Sequence, residues 1–131
     1  MLARRQANAV ALARSIANDL QNAPYNDARL ANTNAGNDTA FADGAARFAR
    51  PTLPTGANAA DSSLGTFQVG SESYDVYVNV AADGAQGLLF AVIVRYSVGR
   101  NVTGGGGTFM RAVVLGYRYN PAAIGVGQLP I

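Results

Sequence analysis

The chain contains no cysteine, no histidine, no tryptophan and no lysine, so that all ten of its basic residues are arginines. Each absence removes a chemistry. Without Cys there is no disulfide, no thiolate nucleophile and no structural zinc of the usual Cys/His kind. Without His the commonest acid–base group and a principal metal ligand are both missing. Without Lys no Schiff base can form and no P-loop lysine exists. Charged residues are also scarce, at 14% against roughly 25% in an average domain. Ten Arg against eight acids give a net charge of only +2. With neither His nor Lys to titrate between the carboxylates and the tyrosines, that small excess carries the pI to 9.3. The pI therefore overstates the basicity and is no argument for nucleic-acid affinity. Long apolar runs are absent as well: the longest, Leu88–Val94, falls far short of the roughly 20 residues of a membrane span. The N-terminus lacks the apolar core of a signal peptide. These exclusions point away from an enzyme and call for no cofactor and no metal.

What is present divides by period. At 131 residues the chain is the size of a single domain. Residues 1–22 read as a helix, free of Gly and Pro from Leu2 to Asn22 and rich in Ala, Arg, Leu and Gln. Leu2, Ala9, Val10, Ala13, Ile16, Ala17 and Leu20 recur at spacings of three and four, forming one apolar packing face. Arg5, Arg14 and Asp19 fall mostly off it. Pro24 ends the helix. No Ser, Thr, Asp or Asn precedes Leu2 as an N-cap, so the helix is expected to be cut rather than started there.

Residues 23–64 form a polar, variable loop, pinned at intervals by Leu30, Phe41, Phe48 and Leu53. Short pieces of structure are expected within it, including a turn near Ala45–Ala49, because structureless loops of that length are uncommon. Over 65–119 the period becomes two. Thr66–Val69 is a short strand, and Ser73–Ala81 alternates with Tyr74, Val76, Val78 and Val80 on one face. Asp83-Gly84 and Gly87 mark a turn. Leu88–Val98 and Thr108–Tyr119 are the remaining strands, the last apolar on both faces. Residues 120–131 are an irregular tail. The expected fold is α+β, an N-terminal amphipathic helix packed on a three- to four-stranded antiparallel meander.

The segment Ala7 to Tyr25, ANAVALARSIANDLQNAPY, together with the order helix, variable loop and C-terminal meander, resembles the head of a type IV pilin-like protein. More narrowly it is similar to a minor pilin or a type II secretion pseudopilin. The resemblance implies a structural subunit that assembles through its N-terminal helix with other pilin or pseudopilin subunits. It further implies an extracellular or periplasmic filament, anchored in the inner membrane before assembly by a hydrophobic segment that would lie upstream. The alanines Ala7, Ala9, Ala11, Ala13 and Ala17 would allow close helix approach, whether to a neighbouring helix or to the chain's own sheet. Many pilins staple the C-terminal region with a disulfide, which this chain cannot do.

Arg100, Asn101, Thr103 and Gly104, Gly105, Gly106 and Gly107 form a candidate interaction loop between two strands. Its glycines do not make a phosphate cradle, which needs a following helix and a Lys. Asn37-Asp38-Thr39 and Asn101-Val102-Thr103 match the glycosylation triplet, a frequent coincidence in an Asn-rich chain. Glu72 and Asp75 are expected to be solvated or paired with Arg95 or Arg111 rather than catalytic, and Asp38, Asp43 and Asp61 lack the spacing of a calcium loop. Arginines interleaved with Tyr74, Tyr77, Tyr96, Tyr117 and Tyr119 are the vocabulary of a single-strand nucleic-acid binder. That makes DNA the alternative partner.

Overall fold

The computed structural model describes residues 2–31, 61–98 and 108–124. Helix α1 spans Leu2–Asn22, the range its composition predicts. A 3₁₀ turn, Ala28–Leu30, follows at once, capped by Asp27, whose side chain accepts from the Arg29 backbone N–H. Four strands come next: β1 (Ser62–Val69), β2 (Glu72–Asp83), β3 (Gly87–Val98) and β4 (Thr108–Tyr119). They form one antiparallel sheet in the order β1-β2-β3-β4. The fold is α+β, one N-terminal helix packed on a four-stranded antiparallel meander.

The main departures from the pattern-based expectation lie in β1 and in the last twelve residues. β1 begins at Ser62 rather than Thr66, because its first half is Ser-Ser-Leu-Gly and carries no alternation to read. The register shifts between Ser63 and Gly65, a bulge in which Gly65 takes φ 88, a conformation that L residues rarely adopt. The 120–131 segment is not irregular throughout, since Pro121–Ile124 makes a helical turn. Asn120 begins that turn, its side chain accepting from the Ala122 N–H at 3.0 Å. Of the four apolar pins expected in the loop, Leu30 is buried in the core. Phe41, Phe48, Leu53 and the turn near Ala45–Ala49 lie outside the described residues.

Even-numbered residues of β2, β3 and β4 face the helix. Tyr74, Val76, Val78, Val80, Phe90, Val92, Val94, Tyr96 and Ala112 form one cluster with Ala9, Ala13, Ile16, Ala17, Leu20 and Leu30. Full burial of a side chain such as Leu20 or Ile16 contributes about 1.5–3 kcal/mol, so this interface dominates the fold's stability. The sheet's odd face is not a solvent face either. Ala81, Ala91 and Ile93 form a second buried cluster, with Tyr77 and Val113 packed against it. That answers the two-sided apolar pattern of β4: Ala112 and Val114 serve the helix side and Val113 the other.

Candidate functional site

Helix α1 buries five residues of its apolar stripe against the chain's own sheet. Ala9, Ala13, Ile16, Ala17 and Leu20 are buried, and Val10 is half-buried against them; the Leu2 side chain lies outside the described residues. The alanines divide: Ala9, Ala13 and Ala17 serve the sheet, whereas Ala3, Ala7 and Ala11 are exposed. The helix lies over β4 and β3 and scarcely touches β2.

Polar side chains at both ends of α1 fasten it to the sheet, and the apolar stripe gave no sign of them. At the C-terminal end, Gln21 donates to the Tyr117 carbonyl at 2.8 Å. Arg118 Nη1 donates to the Leu20 carbonyl at 2.5 Å. Carbonyls of the last helical turn lack intrahelical partners and carry the negative end of the helix dipole, so a guanidinium suits them. Arg118 also stands over the Tyr25 ring, 5.9 Å from its centroid.

At the N-terminal end Arg5 is the organising residue, although the pattern placed it off the packing face. Its side chain is only 20% exposed. Arg5 Nη1 donates to the Ser97 carbonyl at 2.6 Å; the β2–β3 ladder begins only at Asp75↔Arg95, which leaves that carbonyl without a strand partner. Arg5 Nε pairs with Glu72 at 3.2 Å, an acid expected instead to be solvated or to meet Arg95 or Arg111. The guanidinium lies 4.7 Å from the Tyr96 ring centroid and 5.7 Å from that of Tyr74. The two rings meet edge to face at 5.6 Å. Tyr96 donates its hydroxyl to Gln6 Oε1, and Gln6 Nε2 donates to the Arg111 carbonyl at 3.4 Å. Burial pushes the Tyr96 phenol above its ordinary value, against the opposing pull of Arg5. The buried Tyr74 hydroxyl has no hydrogen-bond partner among the described residues. A cleft of about 260 Å³ opens beside this cluster, between Arg4, Arg5 and Asn8 of α1 and the Gly70–Ser71 turn.

Other ionic groups are engaged within the fold. Arg29 bridges Asp27 at 2.9 Å and Asp19 at 2.8 Å, and its hydrogen bonds hold the Asp27 carboxyl down at about 2. Arg95 faces Asp75 at 3.5 Å, as expected, and donates to the Tyr77 hydroxyl at 3.2 Å. Asp61 is buried. Its carboxylate accepts from the Val80 N–H at 2.7 Å while its own N–H donates to Asn79 Oδ1 at 3.1 Å. Those two bonds continue the β1–β2 ladder past its last pair, Ser62↔Val78.

The arginine–tyrosine vocabulary therefore sorts into interior contacts for Arg5, Arg29, Arg95 and Arg118, with Tyr74 and Tyr96 buried. Arg4, Arg14 and Tyr119 are exposed. The predicted interaction loop (Arg100, Asn101, Thr103 and Gly104 to Gly107) and both glycosylation triplets lie outside the described residues. Among the described residues no group of three or more His, Cys, Asp or Glu could hold a metal. Among them, too, no helix is long and apolar enough to cross a membrane. What the arrangement offers chemically is packing surface, backbone hydrogen bonding and fixed charge. The chain matches no protein-family model, no curated protein and no solved structure.

Proposed function

We propose that the protein is a structural filament subunit of the type IV pilin or pseudopilin class, assembling through α1. The observation that carries the reading is the division of the helix into two faces with different work. Ala9, Ala13, Ile16, Ala17 and Leu20 hold the sheet, while Ala3, Ala7 and Ala11 stand exposed on the outer side beside Arg4, Arg14 and Ser15. Exposed small residues at four-residue spacing let a second helix approach closely, and they contribute little to the stability of the subunit itself. A subunit that works by helix packing needs such a face and needs no catalytic group.

The test uses Ala11→Trp in the organism that makes the protein. Ala11 is exposed, so the substitution should leave the thermal midpoint within about a degree or two of the parent's. Filaments sheared from cells should contain the parent subunit and lack the variant. Filaments that incorporate Ala11→Trp normally, or cells that assemble no filament with the parent protein, contradict the reading.

A further inference from the structure

The two edges of the sheet are built differently: β1 is short and bulged, whereas β4 is long and regular. Asn120 N donates to the Gln86 carbonyl at 2.7 Å. Antiparallel ladders alternate bonded and non-bonded pairs. Counting from Gln86–Asn120, the bonded pairs run through Leu88↔Arg118, Phe90↔Gly116, Val92↔Val114 and Val94↔Ala112. The odd residues of β4 therefore point their N–H and C=O groups away from β3. The helix reaches two of those carbonyls: Gln6 donates to that of Arg111 and Gln21 to that of Tyr117. From Gln6 to Gln21 the helix rises about 22 Å, and from Arg111 to Tyr117 the strand spans about 20 Å, so α1 runs along β4 and clamps the edge at each end. Between the clamps the N–H and C=O groups of Val113 and Leu115 have no partner among the described residues. Leu115 is 54% exposed. β4 carries no Pro, Lys or bulge, the devices that usually blunt an edge.

We infer that this window is a self-pairing edge, and that the occupant is β4 of a second copy of this chain. The window has two donors and two acceptors. An antiparallel, two-fold arrangement centred on Val114 sets Val113 opposite Leu115 of the partner and Leu115 opposite the partner's Val113. The four hydrogen bonds of those two pairs use both donors and both acceptors of the window in each copy. No like charges oppose each other on the strands: Arg111 falls opposite Tyr117 of the partner, and Arg118 opposite Met110 of the partner. The sheet continues from one copy into the other as eight strands.

The helices fit the same arrangement. α1 lies over β4 and β3, so strands about 4.8 Å apart bring the two helices side by side at about 10 Å, an ordinary packing distance. The flank of α1 that leans past β4 carries Ala3, Ala7 and Arg14, all exposed. Arg14 comes nearest its own copy across the axis and is the one like-charge opposition in the arrangement. This pairing is led by the edge of β4 and shares only Ala3, Ala7 and Arg14 with the outer side of α1, so its test at Leu115 and Val114 is separate from the Ala11→Trp test of the filament reading.

The test is sedimentation equilibrium of the full chain over a concentration series reaching about 1 mM. The parent protein should form a dimer, and Leu115→Pro should raise its dissociation constant tenfold or more. The lost N–H points away from β3, so the ladder within the copy survives, whereas two inter-copy bonds are lost. Arg14→Gln should tighten the dimer. Because the chain has no Cys, Val114→Cys gives a clean report on register. Mild oxidation should link two copies at the axis, while Thr66→Cys on the opposite edge should not cross-link. A monomer throughout the series, a dimer indifferent to Leu115→Pro, or cross-linking at Thr66 but not Val114 overturns the proposal. Should Leu115→Pro unfold the chain, Leu115→Lys supplies the same comparison at an exposed position.

Discussion

β1 and β4 border the same sheet, yet one is blunted by its own sequence and the other is guarded by the helix laid along it. β1 is short and polar, broken by the bulge at Gly65. Its entry is fixed by Asp61, whose carboxylate takes the place of a backbone acceptor for Val80. Thr66 donates to Asp75 at 2.9 Å and Gln68 to Ser73 at 2.7 Å, so its side chains bond inward across the hairpin. β4 is long, regular and apolar on both faces, with Leu115 at 54% and Tyr119 at 68% exposure. Its protection comes from another element, the two glutamines of α1. The lesson is that an edge can be managed locally, by bulges and polar side chains, or at a distance, by a helix laid along it. Only the second way leaves an opening whose length depends on side chains that are easily removed.

The comparison can be broken most forcefully at glycine. Gly116 stands opposite Phe90, and a Cβ there would collide with the ring. Gly116→Val should destabilise the fold by about 3 kcal/mol through overpacking, read as a fall in the urea midpoint. Gly65 has open space around it but φ 88, so Gly65→Ala should cost only about 1 kcal/mol. Equal losses at the two sites would mean that the glycines do not serve opposite purposes.

Next in size is Asp61. Asp61→Ala leaves the buried Val80 N–H without its acceptor and should cost about 2 kcal/mol. Hydrogen exchange should show the loss concentrated at the β1–β2 end, with β3–β4 amides keeping their protection relative to global unfolding. Uniform loss would put Asp61 in the core's energetics rather than at one edge.

Removing the clamps is a smaller perturbation. Gln21→Ala should cost about 1 kcal/mol or less in stability, and Gln6→Ala about 1–2 kcal/mol because it also leaves the buried Tyr96 hydroxyl without its acceptor. They free further carbonyls on β4, so each should strengthen self-association while weakening the fold. A clamp variant that loses stability and also associates less would contradict the account of the edge.

The pH response should separate the two sides of the sheet with the smallest effects. Hydrogen bonds to Arg29 lower the Asp27 carboxyl from its ordinary 3.8 to about 2, and the 3₁₀ turn it caps packs on β2. A depressed acid contributes stability above its unfolded value, and that contribution is lost as pH falls from near 4 through 2. Tyr117 on β4 donates its hydroxyl to Asp83 at 2.7 Å, which raises the phenol from 10.0 to about 12. Its contribution is complete below 10 and is lost as pH rises through 12. Thermal midpoints should show an acid limb abolished by Asp27→Asn and an alkaline limb abolished by Tyr117→Phe.

In the sequence the helix was legible from Leu2 to Asn22 because its stripe and its Pro24 stop are both local signals. β2 was legible because alternation survives where one face is buried, and β3 because its apolar, β-branched run lies between Gly87 and Gly99. The first half of β1 was not, since Ser62 to Gly65 is held by pairing with β2 and by the Asp61 carboxylate, both long-range facts. In α1 the stripe made Ala9, Ala13, Ile16, Ala17 and Leu20 legible as sheet-facing residues. Arg5, Gln6, Gln21 and Arg118 were not, because a polar residue beside a stripe looks the same whether it meets solvent or a strand's free carbonyl. Nor could periodicity show which edge of the meander would lie under the helix.

Amide hydrogen exchange along β4, followed as a function of protein concentration, reads out whether the edge between the clamps pairs with a second copy. Ala112, Val114 and Gly116 donate to β3 and should be protected at every concentration. Val113 and Leu115, pointing outward between the clamps, should exchange quickly in dilute solution and gain protection together as the concentration rises. Protection of Val113 and Leu115 in dilute monomer, or fast exchange at both however concentrated the protein, would contradict the account.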